Sequence, residues 1–380
     1  MTGRPPGSSA LARIEAFVFR EPLENFVRTS FGVMRDRPAL FVRVEDHEGA
    51  YGWGEVWCNF PEHGAEHRAR LVGGVFAPLL ASIPSDRPED VFAQLTAKTA
   101  VLAIQTGEHG PINQCIAGID IALWDLAARR AGLPLWKFMG GTDPVIRAYA
   151  SGINPDGAAE TALRCRAEGH RAFKLKVGFG RDVDLRNLRA MRDALGMQCG
   201  LFADANQAWD LDTARAMAQA MQPFEIGWLE EPIRADMPWN AWQSLAESTR
   251  IPLAGGENLA GVPAFEAAFR ANALRVVQPD VAKWGGFSAC LPLARRIREV
   301  HLRYCPHYLG GGIGLLASAH LLAAVGGDGM LEVDANPNRL RTTTCGAVAQ
   351  VIDGRVHLDE RPGLGAAPDL AQLEGYRVTF

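Results

Sequence analysis

Arg171-Ala172-Phe173-Lys174-Leu175-Lys176-Val177-Gly178 reads as a short apolar strand that ends in two lysines. Residues i and i+2 of a strand share a face, so Lys174 and Lys176 point to the same side. Two ammonium groups that close disfavour each other's charge. A neutral amine then becomes available near neutral pH, which is one way to make a lysine base. A lone K-x-K is ordinarily a solvated strand end. What overturns that reading is the spacing downstream.

After Lys176, apolar runs end at or lead to Asp204, Glu230, Glu257, Asp280, His307 and Glu332, each 23 to 28 residues after the last. Helical patterns such as Asp212 to Met221 and Pro263 to Ala271 lie between them. That period is one strand plus one helix. Repeated this often it predicts a parallel α/β barrel, whose active site lies at the C-terminal ends of its strands. Seven ionisable side chains would then share one rim and face one cavity.

The chain has 380 residues, enough for a barrel and a smaller domain, and 48% hydrophobic content supports a full core. A net charge of −4 with both signs dispersed argues against a nucleic-acid partner. No apolar run reaches membrane-spanning length. Met1 to Ala10 is polar, lacks the apolar core of a signal peptide and reads as a frayed end. Cys58, Cys115, Cys165, Cys199, Cys290, Cys305 and Cys345 form no C-x-x-C pair, which fits reduced thiols in the cytoplasm. Packing is the role read for Cys305.

The first third breaks the period. Arg13 to Phe19, Ala39 to Glu45 and Tyr51 to Trp57 read as an antiparallel meander. Helical segments follow over Glu62 to Leu80, Pro88 to Ala103 and Ile112 to Ala131, the last stopped by Gly132 and Pro134. The division expected is an N-terminal α+β capping domain over 1–140, a barrel over 141–350, and a segment 351–380 that packs back on the capping domain.

Two other motifs compete for attention. His63-Gly64-Ala65-Glu66-His67 matches the H-x-x-E-H pattern of inverted zinc proteases. Gly64 weakens that helix and no third ligand is in view, so a solvated or substrate-facing helix start is the reading taken. Gly310-Gly311-Gly312-Ile313-Gly314 resembles a phosphate cradle but lacks the Lys-Ser/Thr of a P-loop. Close packing is expected there, at a helix start still able to bind an anionic group.

Asp204, Glu230 and Glu257 fall on consecutive strands, so their oxygens can converge. Three hard oxygen ligands suit Mg²⁺, or Mn²⁺, better than Zn²⁺. Asp280 and His307 fall on the next two strands, and a carboxylate beside a histidine fixes its tautomer and raises its basicity. With Lys176 opposite, a substrate at the metal meets a base on each face. That arrangement suits moving a proton on the carbon next to a carboxylate, the enolate being stabilised by the cation. Glu332, if protonated, would donate a hydrogen bond to the same carboxylate, and Lys174 would do so from the other side.

These marks resemble the enolase superfamily, in the group containing mandelate racemase and muconate lactonizing enzyme. The stretches that carry the likeness are Lys174-Leu175-Lys176, Asp204-Ala205-Asn206, Leu229-Glu230-Glu231-Pro232, Gly256-Glu257-Asn258, Pro279-Asp280-Val281-Ala282-Lys283-Trp284-Gly285-Gly286 and Leu331-Glu332. The resemblance implies a modified TIM barrel, (β/α)7β, that binds Mg²⁺ under a capping domain whose mobile loops cover the substrate. Asp280 stands where muconate-type relatives carry a catalytic lysine, and His307 follows. The Asp–His pair and Glu257 as third ligand both resemble the mandelate racemase branch. By the same likeness Asn206 contacts substrate and Lys283 stands behind the ligands.

Many members of that branch dehydrate sugar acids. The loops expected to cap the site carry Arg28, Thr29, Arg35, Asp36, Arg37, Trp57, Asn59 and His63, a polar lid that suits a polyol. Arg28, Trp57 and His63 join Asn206 as expected substrate contacts. The activity expected is Mg²⁺-dependent dehydration of an aldonate or aldarate to a 2-keto-3-deoxy acid. The alternatives are a racemase or epimerase, a sugar-lactone cycloisomerase, and, more distantly, a non-catalytic metal-binding protein. The expected partners are a small-molecule carboxylate and further copies of the chain in a homo-oligomer, not nucleic acid or membrane.

Overall fold

The computed structural model describes residues 11–29, 32–84 and 87–380; the expected frayed end, Met1 to Ala10, lies outside them, as do the side chains of Asn25, Arg28 and Thr29. Three strands open the chain: β1 (Leu11–Thr29), β2 (Gly32–Asp46) and β3 (Tyr51–Val56). They form an antiparallel sheet in the order β13-β1-β2-β3, where β13 is Arg377–Val378 at the far end of the chain. The meander read from sequence is present, but β1 and β2 run further than expected. Val27 pairs with Met34 and Thr29 with Gly32, beyond a register shift between Pro22 and Val27. Pro22 and the charged residues around it hide that arm, because they break the alternation by which strands are read.

Alternation within this sheet sorts its residues between two cores. Phe17, Phe19, Ala39, Phe41 and Trp53 join the core shared with the barrel. Val18, Leu40, Val42, Val44 and Val56 pack on the other side with the helices. A sheet covered on both faces reads as a continuous apolar run, as Ala39 to Val42 does. The covering helix, His109–Arg130, lies very close to β3. A Cβ on Gly54 would sit 1.9 Å from the Gly118 carbonyl oxygen, and one on Gly52 would sit 2.1 Å from that of Ala122. Glycine is therefore required at both positions.

The barrel strands are β4 (Val145–Ile153), β5 (Ala172–Lys176), β6 (Gly200–Asp204), β7 (Leu229–Glu230), β8 (Leu253–Gly255), β9 (Val276–Val277), β10 (Arg303–Tyr304) and β11 (Met330–Asp334). Each pairs in parallel with the next from β4 to β10, and β11 returns beside β4. A helix follows each strand from β4 to β10, so the described residues build a (β/α)7β barrel. No ladder joins β10 to β11 among them, yet the wall is nearly closed there: a Cβ on Gly329 would lie 2.1 Å from the Tyr304 carbonyl oxygen.

The barrel floor is a plug of side chains from all eight strands or their edges: Tyr149, Ala172, Phe202, Trp228, Ala254, Val276, Cys305 and Met330. Phe202 stacks on Trp228 at 3.4 Å between ring centroids, and Tyr149 meets both edge-on. Three aromatic rings on one side and smaller side chains on the other fill the interior, as a packed barrel requires. Cys305 belongs to this plug, and all seven cysteines are free and buried. The last barrel helix, Gly312–Val325, is buried along its whole length. It packs against β3 as well as β11, so it has no solvent face to be polar. In the tail, β12 (Arg355–His357) pairs antiparallel with β4, and only β13 joins the capping sheet. Among the described residues no helix is long and apolar enough to cross a membrane.

Candidate active site

Strand register decides what meets at the barrel mouth. Lys176 pairs with Asp204 and Asp204 with Glu230, so three consecutive strands present these groups at one level. Lys174 lies one inward step deeper, above the aromatic plug. Its Nζ donates to Glu230 Oε1 and Oε2 at 2.8 and 2.7 Å and lies 2.7 Å from Glu332 Oε1. Lys176 Nζ donates to Asp204 Oδ2 at 3.0 Å and to Asn206 Oδ1 at 2.5 Å. Burial presses both lysines toward the neutral form, and Lys174 adds to that pressure on Lys176, but the carboxylates outweigh it and both pKa values are raised. The expected neutral amine is therefore not what mutual repulsion alone produces: each ammonium has its own counter-charge.

Glu332 departs from expectation in the same way. Burial raises its pKa, yet Lys174 and His307 more than offset it, and the carboxylate is held below its ordinary range. It accepts from Ser151 Oγ at 2.5 Å and from the Tyr308 amide at 3.0 Å, as an ionised group does. The condition under which Glu332 would donate, a protonated carboxyl, is thus opposed by its surroundings.

Asp204, Glu230 and Glu257 form an all-oxygen donor set on consecutive strand ends, and its chemistry fits a hard divalent cation. Each carboxylate faces an ammonium: Asp204 faces Lys176, Glu230 faces Lys174, and Glu257 accepts from Lys283 at 2.9 Å. So arranged, no three His, Cys, Asp or Glu side chains among the described residues are placed to hold a metal ion. Burial pushes Glu230 up to about 7 although Lys174 opposes it, while Gln278 Nε2 at 2.6 Å and Trp228 Nε1 at 3.3 Å donate to its Oε2. Glu231 is pushed up to about 8 by burial and by Glu257, with Asn258 Nδ2 2.9 Å from both its oxygens.

His307 Nδ1 lies 2.7 Å from Asp280 Oδ2, and Asp280 Oδ1 is fixed by the amides of Ala282 and Lys283 at 2.8 and 3.1 Å. The carboxylate keeps the proton on Nδ1 and leaves Nε2 toward the cavity, 3.1 Å from Glu257 Oε2. Burial lowers the His307 pKa, but Glu257, Glu332 and Asp280 carry it up to about 9. Lys176, Asn206, Glu257 and His307 line one cavity of about 260 Å³. Asn206, Gln207 and Glu231, all on its lining, hold left-handed backbone with φ of 42°, 66° and 37°. Strain of this kind in non-glycine residues gathers at functional sites.

The capping domain roofs the cavity with Val27, Met34, Arg37, Trp57, Asn59 and Phe60. The roof is thus less polar than the loop sequence suggests. Arg35 is exposed with its guanidinium 5.3 Å from the Phe26 ring, and Asp36 accepts from Arg20 at 2.9 Å. His63 is exposed at the start of a helix and does not line the cavity, which corrects its reading as a substrate contact. Arg28, also expected there, has its side chain outside the described residues. The zinc pattern fails too, since Glu66 is bonded to Arg20 at 2.7 Å and His67 Nε2 lies 2.8 Å from Glu108.

The glycine-rich motif does hold an acidic group, Glu55 of β3, whose pKa burial pushes up to about 7 against the pull of the amides. Its carboxylate accepts from the Gly311 and Gly314 amides at 2.5 and 2.8 Å, at the start of helix Gly312–Val325. Asn59 Nδ2 adds a bond of 2.6 Å to the Leu309 carbonyl. Both reach the turn that follows His307. Sequence spacing has no access to Glu55, whose partner glycines lie more than 250 residues away. Gln278 has no signal either, since its work is to hold Glu230 from beneath.

A parallel barrel with acids and bases at one mouth, under a sheet-and-helix cap, defines an enzyme of the enolase superfamily. Residues 157–372 match the family described as Enolase C-terminal domain-like, and residues 13–140 match Mandelate racemase / muconate lactonizing enzyme, N-terminal domain. The chain belongs to the mandelate racemase / muconate lactonizing enzyme group of that superfamily. Enzymes of the superfamily use Mg²⁺. A mandelate racemase/muconate lactonizing enzyme from Bordetella bronchiseptica RB50, known from a crystal structure, is 57% identical with a TM-score of 0.93, covering 97% of this chain and 100% of that one. The 3,6-anhydro-alpha-L-galactonate cycloisomerase of Streptomyces coelicolor is 33% identical over 372 residues, 96% of this chain and 98% of the relative. The L-talarate/galactarate dehydratase of Salmonella typhimurium is 34% identical over 285 residues, 73% of this chain and 69% of the relative.

Proposed function

We propose that this enzyme removes the proton α to the carboxylate of an acid sugar and expels the oxygen on the neighbouring carbon, a dehydration that yields a 2-keto-3-deoxy acid. The observation that carries the reading is the His307–Asp280 contact at 2.7 Å, with Nε2 turned into the cavity that Lys176 also lines. Lys176 and His307 are the proton-transfer groups. Asp280 holds the imidazole tautomer and steadies the imidazolium. Asp204, Glu230 and Glu257 would hold Mg²⁺, which when bound supplies a Lewis acid for the substrate carboxylate and the developing enolate, and draws on the carboxylates that otherwise keep the lysines protonated. Lys174 and Glu332 form the charged floor beneath the substrate carboxylate, with Lys174 shared between Glu230 and Glu332. Asn206 and Trp57 bound the substrate.

A second reading has its own support. The apolar part of the roof, Val27, Met34 and Phe60, suits a sugar acid with fewer free hydroxyls, and one of the relatives that match almost end to end is a cycloisomerase. If the expelled oxygen belongs to a ring, the same elimination opens the ring and the product keeps the mass of the substrate. Acid sugars, lactones and anhydro acids should be screened for keto-acid product trapped by semicarbazide, with mass spectrometry on each hit. Loss of one water supports dehydration, and unchanged mass with a keto group supports ring opening. An epimer deuterated at the α carbon in D₂O, with no keto product, would sink both.

A further inference from the structure

Arg37 enters the active-site cavity from β2 of the capping domain and is only 2% exposed. Its Nη2 donates to Asp334 Oδ2 at the end of β11. The same oxygen lies 3.5 Å from Arg341 Nη1, and Asp334 Oδ1 is occupied by the Asn336 amide and Nδ2 at 3.0 and 2.8 Å. Two buried guanidinium groups thus share one carboxylate that has no acceptor capacity left. Among the described residues, what remains of Arg37 is poorly served: Nη1 has only the Met34 sulfur at 3.8 Å, and Nε is buried without a partner. The next carboxylate, Glu21, pulls on Arg37 through its charge but also accepts from the Arg339 amide at 2.5 Å and faces the Arg339 guanidinium at 3.7 Å.

A buried cation that outnumbers its counter-charges is costly unless an anion completes it. Burial accordingly presses Arg37 below its ordinary pKa despite the pull of Asp334, and Arg341 adds to the pressure. The surplus positive charge belongs to a residue on the lining of the very cavity that holds Lys176 and His307. Guanidinium is the side chain best shaped for a carboxylate, and it keeps its charge at any working pH.

We propose that Arg37 is a substrate-binding residue for a second carboxylate, so that the substrate is a diacid sugar or its monolactone rather than a monoacid. The inference rests on the reading above, in which the reacting carboxylate lies at the Lys176–His307 side. Asp334 acts as the counter-charge that keeps Arg37 folded into the roof until the second carboxylate arrives.

A hexarate and a hexonate of matched configuration test this, with affinity read by thermal shift in Mg²⁺ and turnover by keto-acid formation. The diacid should bind ~10–100-fold more tightly, the worth of one charge-assisted hydrogen-bonded pair. Arg37→Met should erase that gap, costing the hexarate more affinity than the hexonate, and Arg37→Lys should keep part of it. Asp334→Asn should hold or widen the gap, since it frees the guanidinium; a purely structural Arg37–Asp334 tie would instead weaken both acids alike in every variant. Equal affinity of the wild type for the two acids overturns the proposal, as does loss of the gap in Asp334→Asn. A preserved gap without keto product from any acid sugar leaves Arg37 in its role and removes the elimination instead.

Discussion

His320 accepts a hydrogen bond at Nδ1 from the Trp136 amide at 3.0 Å, and its Nε2 lies 3.2 Å from the Leu364 carbonyl oxygen. Only the neutral ring can do both, accepting at one nitrogen and donating at the other. Burial depresses its pKa from 6.5 to about 4, with the Leu364 carbonyl and then Asp359 pulling the other way. The folded pKa lies below the unfolded one, so the contribution is fully present above pH 6.5 and is lost as pH falls from 6.5 toward 4. Its ceiling is about 3 kcal/mol. Melting followed from pH 7 to 4 should show a shallower acid loss in His320→Gln; an unchanged slope would mean other groups dominate. The bases answer to a different test. Lys176→Ala and His307→Asn should each cut turnover ~10²–10⁴-fold. The one that keeps the abstracting base should still exchange the substrate α proton in D₂O, and normal turnover in His307→Asn would make the dyad structural. Most of these residues were legible, because each ionisable group follows an apolar run at a regular interval. Their charge states were not. Lys174 and Glu332 are set by three-way contacts between strands far apart in sequence, where pair reasoning fails.

Among the elements, strands whose ends carry a charge were easy to find, even where they are as short as Leu229–Glu230. The hairpin arm beyond Pro22 was not, because its pairing is earned across the partner strand rather than by its own pattern. The turn from Tyr308 to Gly314 had a visible motif whose occupant was invisible. It allows a sharp test. A Cβ on Gly314 would lie 2.2 Å from the Tyr308 ring, and Tyr308 adjoins His307 and holds Glu332 through its amide. Gly314→Ala should therefore cost ~1–3 kcal/mol of stability by overpacking. It should also lower kcat, because a displaced Tyr308 shifts the neighbouring His307–Asp280 dyad. Wild-type stability and kcat in that variant would mean the turn yields without strain.

The molecule as a whole joins three carboxylates from separate strands, so metal and fold should be linked. Mg²⁺ at a hundredfold its Kd should add ~2.7 kcal/mol to the stability of the folded chain. Asp204→Ala should abolish that rise in melting temperature along with activity; a full Mg²⁺ response or full activity in that variant would remove Asp204 from the metal site. The barrel was legible because its period repeats, whereas the tail's split between β4 and β1 was not, since two-residue and three-residue strands leave no pattern. Glu55 in its cradle of amides has one more consequence. A helix N-terminus that grips a carboxylate is a receptor, and here its ligand is tethered to the same chain. Tethering replaces affinity by effective concentration, on the order of millimolar for a flexible link. The cap is thus held on the barrel as an intramolecular inhibitor is held on its enzyme, and a free anion must outcompete that local concentration to pry it off. Glu55→Ala would vacate the receptor, and a small anion such as formate, supplied in the buffer, should then restore by mass action what the covalent chain had provided without dilution.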